Sequence, residues 1–152
     1  MTAKDIMTRE FGACAPEDPL STPIGIMADR DCGFVPVVDM HGSLVGVVTD
    51  RDICKAAHVT QRAVTHIAVS DTMSHPVFSC FVDEPLNTAL ATMAKHQVRR
   101  LPVLDKTGRL QGVLSIEDIL RASDRRGAPT SEDIVAAWKS ICARKAVTGV
   151  AH

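Results

Sequence analysis

The sequence predicts an α+β fold: two copies of one strand-helix-strand-strand-helix unit, packed about a pseudo-twofold axis, with a further helix at the C-terminus. Two observations carry that prediction. The stretches Gly46–Asp52 (GVVTDRD) and Gly112–Asp118 (GVLSIED) share Gly, two apolar residues, a hydroxyl residue and a final Asp, and stand 66 residues apart. The same step of 66 brings DIMT (5–8) onto DTMS (71–74), Cys14 onto Cys80, EDPLST (17–22) onto DEPLNT (83–88) and VPVVD (35–39) onto LPVLD (101–105). No gap is needed and about a third of the paired positions are identical, which is the mark of an internal duplication. Second, apolar runs and turn residues follow one order in each copy. The organisation reads as a first repeat over 1–58, a connection over 59–70, a second repeat over 71–123 and an extension over 124–152.

Each element has a local reason. Pro19 and Pro85 follow acidic residues and suit the first helical position, so a helix is expected from each. Pro23, which stands where the second copy has Ala89, should distort the first turn of its helix. FVPVVD and LVGVVT flank MHGS, and RLPVLD and LQGVLS flank KTGR, so each copy contains a hairpin about a Gly-containing turn. These strands are apolar without clean alternation, which predicts that both faces are covered. A unit of about 55 residues buries too little to stand alone, so the two copies should pack together. The connection HVTQRAVTHIAVS (58–70) is too apolar for a flexible linker and should pack as well. In the extension, Thr130 or Ser131 caps a helix expected over about 131–146. Ile134, Trp138 and Ile141, with Val135 and Cys142 beside them, form an apolar stripe for docking on the module, a second copy or an effector protein.

Composition narrows the function. Among 152 residues, 45% are hydrophobic, 23% charged and 3% aromatic, and the formal net charge is −1. Such a balance supplies no global field for nucleic acid or an anionic membrane, and few aromatic platforms for bases. No apolar run reaches a membrane span, and MTAKDIMTRE does not read as a signal peptide. The cysteines at 14, 32, 54, 80 and 142 form no CxxC pair and read as reduced thiols of a cytoplasmic protein. Neither they nor the six histidines show metal-ligand spacing, and no acid–base partner arrangement marks a catalytic residue.

The repeated heptad admits two readings. Thr49 with Asp52, and Ser115 with Asp118, sit where a strand hands over to a helix and have the spacing of a capping box. The same geometry suits a nucleotide. A helix N-terminus and its hydroxyl can receive phosphate, and an Asp about 5 Å further along the axis can take both hydroxyls of a ribose cis-diol. Gly46 and Gly112 would keep a strand bare where a ligand or backbone comes close.

The duplicated layout DIMT…PL…M…VPVVD…G…GVVTDRD resembles a pair of CBS domains, the cystathionine beta-synthase repeat, over roughly residues 3–123. The resemblance implies a regulatory module that binds an adenosine-containing ligand in clefts between the repeats: AMP, ADP, ATP, S-adenosylmethionine or NAD. That ligand would be a regulator, with no obligatory cofactor and no enzyme activity. It places Thr49 and Ser115 at phosphate, and Asp52 and Asp118 at ribose. The adenine would lie against Cys14, Ala15, Pro36 and Val37 in one site, and against Cys80, Phe81, Pro102 and Val103 in the other. In similar modules, basic residues where Arg99 and Arg100 stand clamp phosphate; the first copy has Gly33 and Phe34 there, so unequal sites are expected. The resemblance further implies a homodimer formed through the helices and an effector protein that receives the signal. A reading of another class makes Cys14 and Cys80, which occupy equivalent positions, the working groups of a redox-responsive interaction module.

Overall fold

The computed structural model describes residues 1–143. The first copy contains helix α1 (Ser21–Arg30), strands β1 (Phe34–Val38) and β2 (Leu44–Thr49), and helix α2 (Asp50–Thr60). The second contains β3 (Cys80–Phe81), α3 (Leu86–His96), β4 (Arg100–Leu104), β5 (Leu110–Ser115) and α4 (Ile116–Arg121), followed by α5 (Ser131–Cys142). β1 and β2 form an antiparallel hairpin; β4 and β5 form its counterpart, with β3 added in parallel to β4. Both hairpins turn through a glycine of positive φ, Gly42 at 78° and Gly108 at 82°, a conformation that side chains disfavour. Three consecutive residues of β1 (Val35, Pro36 and Val37) and of β4 (Leu101, Pro102 and Val103) are buried, so both faces of each strand are covered as expected.

The copies differ where a proline removes a donor. In the second copy Val82 N–H donates to Leu104 O at 2.9 Å and extends β3. Its counterpart Pro16 has no N–H, and the opening strand of the first copy shrinks to one bridge between Cys14 and Val37. A similar loss affects α1. Ala89 N–H reaches Pro85 O at 3.1 Å in α3, whereas Pro23 cannot donate and the α1 ladder begins with Ile24 N–H to Leu20 O at 3.1 Å. The expected helix starts shift accordingly: Pro85 is the cap of α3, not its first residue, and α1 begins two residues after Pro19.

The axis passes between the hairpin tips, where Ser43 bridges its own counterpart Arg109. Across it Leu44 N–H meets Gly108 O at 3.4 Å and Leu110 N–H meets Gly42 O at 3.1 Å. The segment leading into each copy crosses this axis. Thr8 pairs with Val113 of β5, and Ser74 with Val47 of β2. The exchange is reciprocal bond by bond: Ala3 N–H to Glu84 O (2.9 Å) matches Val69 N–H to Asp18 O (2.8 Å), and Leu86 N–H to Met1 O (3.2 Å) matches Leu20 N–H to Ile67 O (2.9 Å). Consequently Ala3 and Met7 belong to the core of the second copy, while Ile67 and Val69 of the connection, with Met73 beside them, belong to that of the first.

α5 docks on α3 and α4 of the second copy. Its buried residues are Ile134 and Ala137, with Ile141 packed against the same core, while Trp138 and Val135 are exposed. The expected stripe is therefore rotated, with Ala137 replacing Trp138, because a small residue lets the helix approach closely. Gln97 anchors the far end through Nε2 to Ser140 O (3.1 Å) and Ala143 O (3.0 Å). The part of the helix expected over 143–146 lies largely outside the described residues.

Candidate nucleotide cleft

The strand-to-helix corners of both copies close as full capping boxes. Asp52 N–H donates to Thr49 Oγ1 at 3.2 Å, and Thr49 N–H and hydroxyl donate to Asp52 Oδ2 at 3.0 and 2.8 Å. Ser115 and Asp118 repeat this at 3.1, 2.9 and 2.7 Å. In each box one carboxylate oxygen carries the cap and the other points away from it. Asp118 Oδ1 accepts from Arg121 Nη2 at 3.0 Å; Asp52 Oδ1 has no hydrogen bond among the described residues.

A cavity of about 410 Å3 opens on the second corner. Ser115, Asp118, Arg121, Arg100 and Val113 line it from the second copy. The first copy supplies Phe34 and Pro36 of β1, Arg30 of α1 and Cys32, together with the crossing segment from Thr8 through Glu10, Phe11 and Gly12. Exchange of the leading segments is what brings these two sets together. Arg30 is held by its Nη1 donating to Glu10 O at 3.2 Å, so three guanidinium groups face one cleft with two carboxylates, Glu10 and Asp118. A second hollow, about 550 Å3 and widely open, lies at the hairpin tips around His41 and Arg109, away from both corners.

The expected site residues divide. Ser115, Asp118, Arg100 and Pro36 meet in the cavity. Arg99 is exposed and does not line it; its carbonyl accepts from Ile116 N–H at 2.9 Å and fixes the start of α4. Thr49 and Asp52 hold the equivalent corner of the first copy. Of the residues expected at adenine, the side chains of Val37, Val103, Cys14 and Cys80 are buried in the two cores, Pro102 is buried in β4, and Ala15 and the exposed Phe81 lie outside the cavity. Ala15 N–H is spent on Asp18 Oδ2 at 2.8 Å. Gly46 and Gly112 are bare for the crossing segments: a Cβ would stand 2.6 Å from Met73 Sδ at Gly46, and 2.8 Å from both Met7 Sδ and Thr8 O at Gly112. Sequence reading missed Gly12, Arg30 and Phe34 as cleft residues. The signal was present in the aligned copies, where these positions change to Phe78, His96 and Arg100.

Burial pushes the Cys14 thiol up to about 11 and the Cys80 thiol up to about 12, each aided by a nearby carboxylate, Asp18 or Glu84. A reactive cysteine needs exposure and thiolate character, and these two have neither at neutral pH. They sit in separate cores, so the redox reading gains no support from their geometry. Among the described residues no group of three or more His, Cys, Asp or Glu could hold a metal ion, and no helix is long and apolar enough to cross a membrane.

A family model described as CBS domain matches residues 3–59 and 69–125. Among curated proteins the chain is 32% identical to the uncharacterized protein YlbB of Bacillus subtilis, over 85% of this chain and 88% of that one. It is 33% identical to a homoserine O-acetyltransferase of Methanococcoides burtonii over 77% of this chain, yet spans only 23% of that enzyme. Among solved structures, the CBS domain pair of protein MJ0100 in complex with 5′-methylthioadenosine and S-adenosyl-L-methionine is 27% identical, with a TM-score of 0.71 covering 80% of this chain and 94% of that one. CBSX2 in complex with AMP is 26% identical, with a TM-score of 0.68 and the same coverage.

Proposed function

Because the chain belongs to the CBS-domain family, we propose that it is a regulatory module, without catalysis of its own, that binds an adenosine-containing ligand between its repeats and signals its presence to a partner protein. The observation that carries the reading is the convergence of Ser115, Asp118 and Arg100 with Pro36 and Phe34 on one cavity of about 410 Å3, within the range of small-molecule sites. Relatives of the same fold are seen with AMP, 5′-methylthioadenosine and S-adenosylmethionine.

The chemistry follows from the donors. Asp118 offers a ribose cis-diol the oxygen that Arg121 now occupies; that guanidinium is 68% exposed, so its pair is cheaply given up. Arg100 then meets phosphate beside the Ser115 corner, with Arg121 released toward the same charge and the exposed Arg99 outside the cavity. The adenine lies against Pro36 and Phe34. Thr49 and Asp52 offer the equivalent groups at the first corner.

The test is a thermal-shift screen with AMP, ADP, ATP, S-adenosylmethionine and NAD, followed by calorimetry. A ligand at 100 times its Kd adds about 2.7 kcal/mol of stability. Changing Arg99 and Arg100 together to Ala should weaken AMP on the order of 10–100-fold, leave adenosine nearly unchanged and flatten the salt dependence. No shift with any of the five would refute the adenosyl reading, and equal losses for AMP and adenosine would make the arginines structural.

A further inference from the structure

The two corners carry the same motif, but what stands over them differs. The leading segments run in matching frames, Thr8 on Val113 and Ser74 on Val47, and reach Cys14 on Val37 and Cys80 on Val103. The step of 66 therefore maps Gly12 onto Phe78, Ile26 onto Thr92 and Arg30 onto His96.

At Gly12 the direction a side chain would take is well defined. It would start 2.3 Å from Ile26 Cγ2 and 3.4 Å from Arg30 Nε, so it would run onto α1 toward Arg30. Ile26 forbids it, and the cleft stays open above Ser115 and Asp118. Phe78 takes the equivalent path. Its ring lies on the imidazole of His96, with centroids 3.7 Å apart and planes at 13°, and the counterpart of Ile26 is the smaller Thr92. Where the open cleft has an empty position beside a guanidinium, the other has two stacked rings. A second difference points the same way. Gly33, the counterpart of Arg99, packs against the Asp50 carboxylate, so closely that a Cβ there would stand 2.7 Å from Oδ2. The corner of that cleft thus carries Gly33 and Asp50 where the other carries Arg99 and Ile116.

We propose that the Phe78–His96 ring pair closes the cleft of Thr49 and Asp52 to adenosyl ligands, so that the chain takes one such ligand, in the cleft of Ser115 and Asp118. The inference rests on the adenosyl reading above. Calorimetric titration of the full chain with AMP and with 5′-methylthioadenosine tests it through stoichiometry. The wild-type chain takes one equivalent of either. Phe78→Gly takes a second equivalent of 5′-methylthioadenosine, which has no phosphate for Asp50 to repel. The reverse transplant, Gly12→Phe with Ile26→Thr, weakens the first site at least tenfold. Two equivalents in the wild type, one in Phe78→Gly, or undiminished affinity in the transplant would each overturn the proposal. Absence of binding by both the wild type and Phe78→Gly would instead overturn the adenosyl reading on which it stands. Should Phe78→Gly fold poorly, the wild-type stoichiometry and the transplant still decide.

Discussion

Thr-x-x-Asp closes helix starts across this chain, also at Thr2–Asp5 and at Thr130–Asp133, which do not line the cavity at Ser115. That repetition supplies an internal control for the nucleotide reading. Asp133 is held below the usual carboxylate range by the Thr130 hydroxyl and then by its backbone N–H. Its box therefore stabilises the folded chain at neutral pH and loses that contribution as acid protonates the carboxyl. Asp133→Ala should lower stability in denaturant and leave ligand affinity untouched. Asp118→Ala should lower stability by about 1 kcal/mol and, in calorimetry, weaken the adenosyl ligand by about 1.5–3 kcal/mol. If only the melting point moves, Asp118 is a cap and nothing more. At this scale the motif residues were legible because hydroxyl-and-acid spacing has a local cause. The aromatic pair over the other corner was not, since Phe78 and His96 lie 18 positions apart and nothing short of the fold brings their rings together.

Elements were legible where their cause is local and illegible where it is not. The hairpins, the distorted start of α1 and the C-terminal helix follow from turn glycines, Pro23 and a cap. The missing strand at Cys14 follows from Pro16, whose absent N–H matters only once its partner, the counterpart of Leu104, is known. Trp138 offers far more apolar surface than Ala137, yet closeness of α5 to α3 favours the smaller residue. Nothing in the spacing of DIMT said that it would join the opposite copy. The two glycines facing these leading segments test that contact. Gly112→Ala should destabilise by about 1–3 kcal/mol in denaturant unfolding, because Thr8 O is backbone and cannot swing aside. Gly46→Ala should cost less, since its neighbour is the flexible Met73 side chain. Equal costs would show that the backbone of the crossing segment yields.

For the whole molecule, covering one copy with α5 leaves an uneven surface. Val59 on α2, Leu120 on α4, and Val135 and Trp138 on α5 are large apolar side chains left in the open. The homodimer implied by the family resemblance would draw on these helices, and light scattering should return about twice the 16.3 kDa chain mass. A concentration-independent monomer mass would remove that assembly from the proposal.

The exchange of leading segments also bears on descent. A chain with one repeat would have its first eight or so residues bonded to a neighbour and its own sheet edge waiting for that neighbour's segment in return. It could finish folding only as an interlocked pair of chains. Duplication and fusion write both members of such a pair into a single gene product. The peptide running through 61–66 then holds the two partners at high local concentration, while the reciprocal bonds at Thr8–Val113 and Ser74–Val47 keep them clasped.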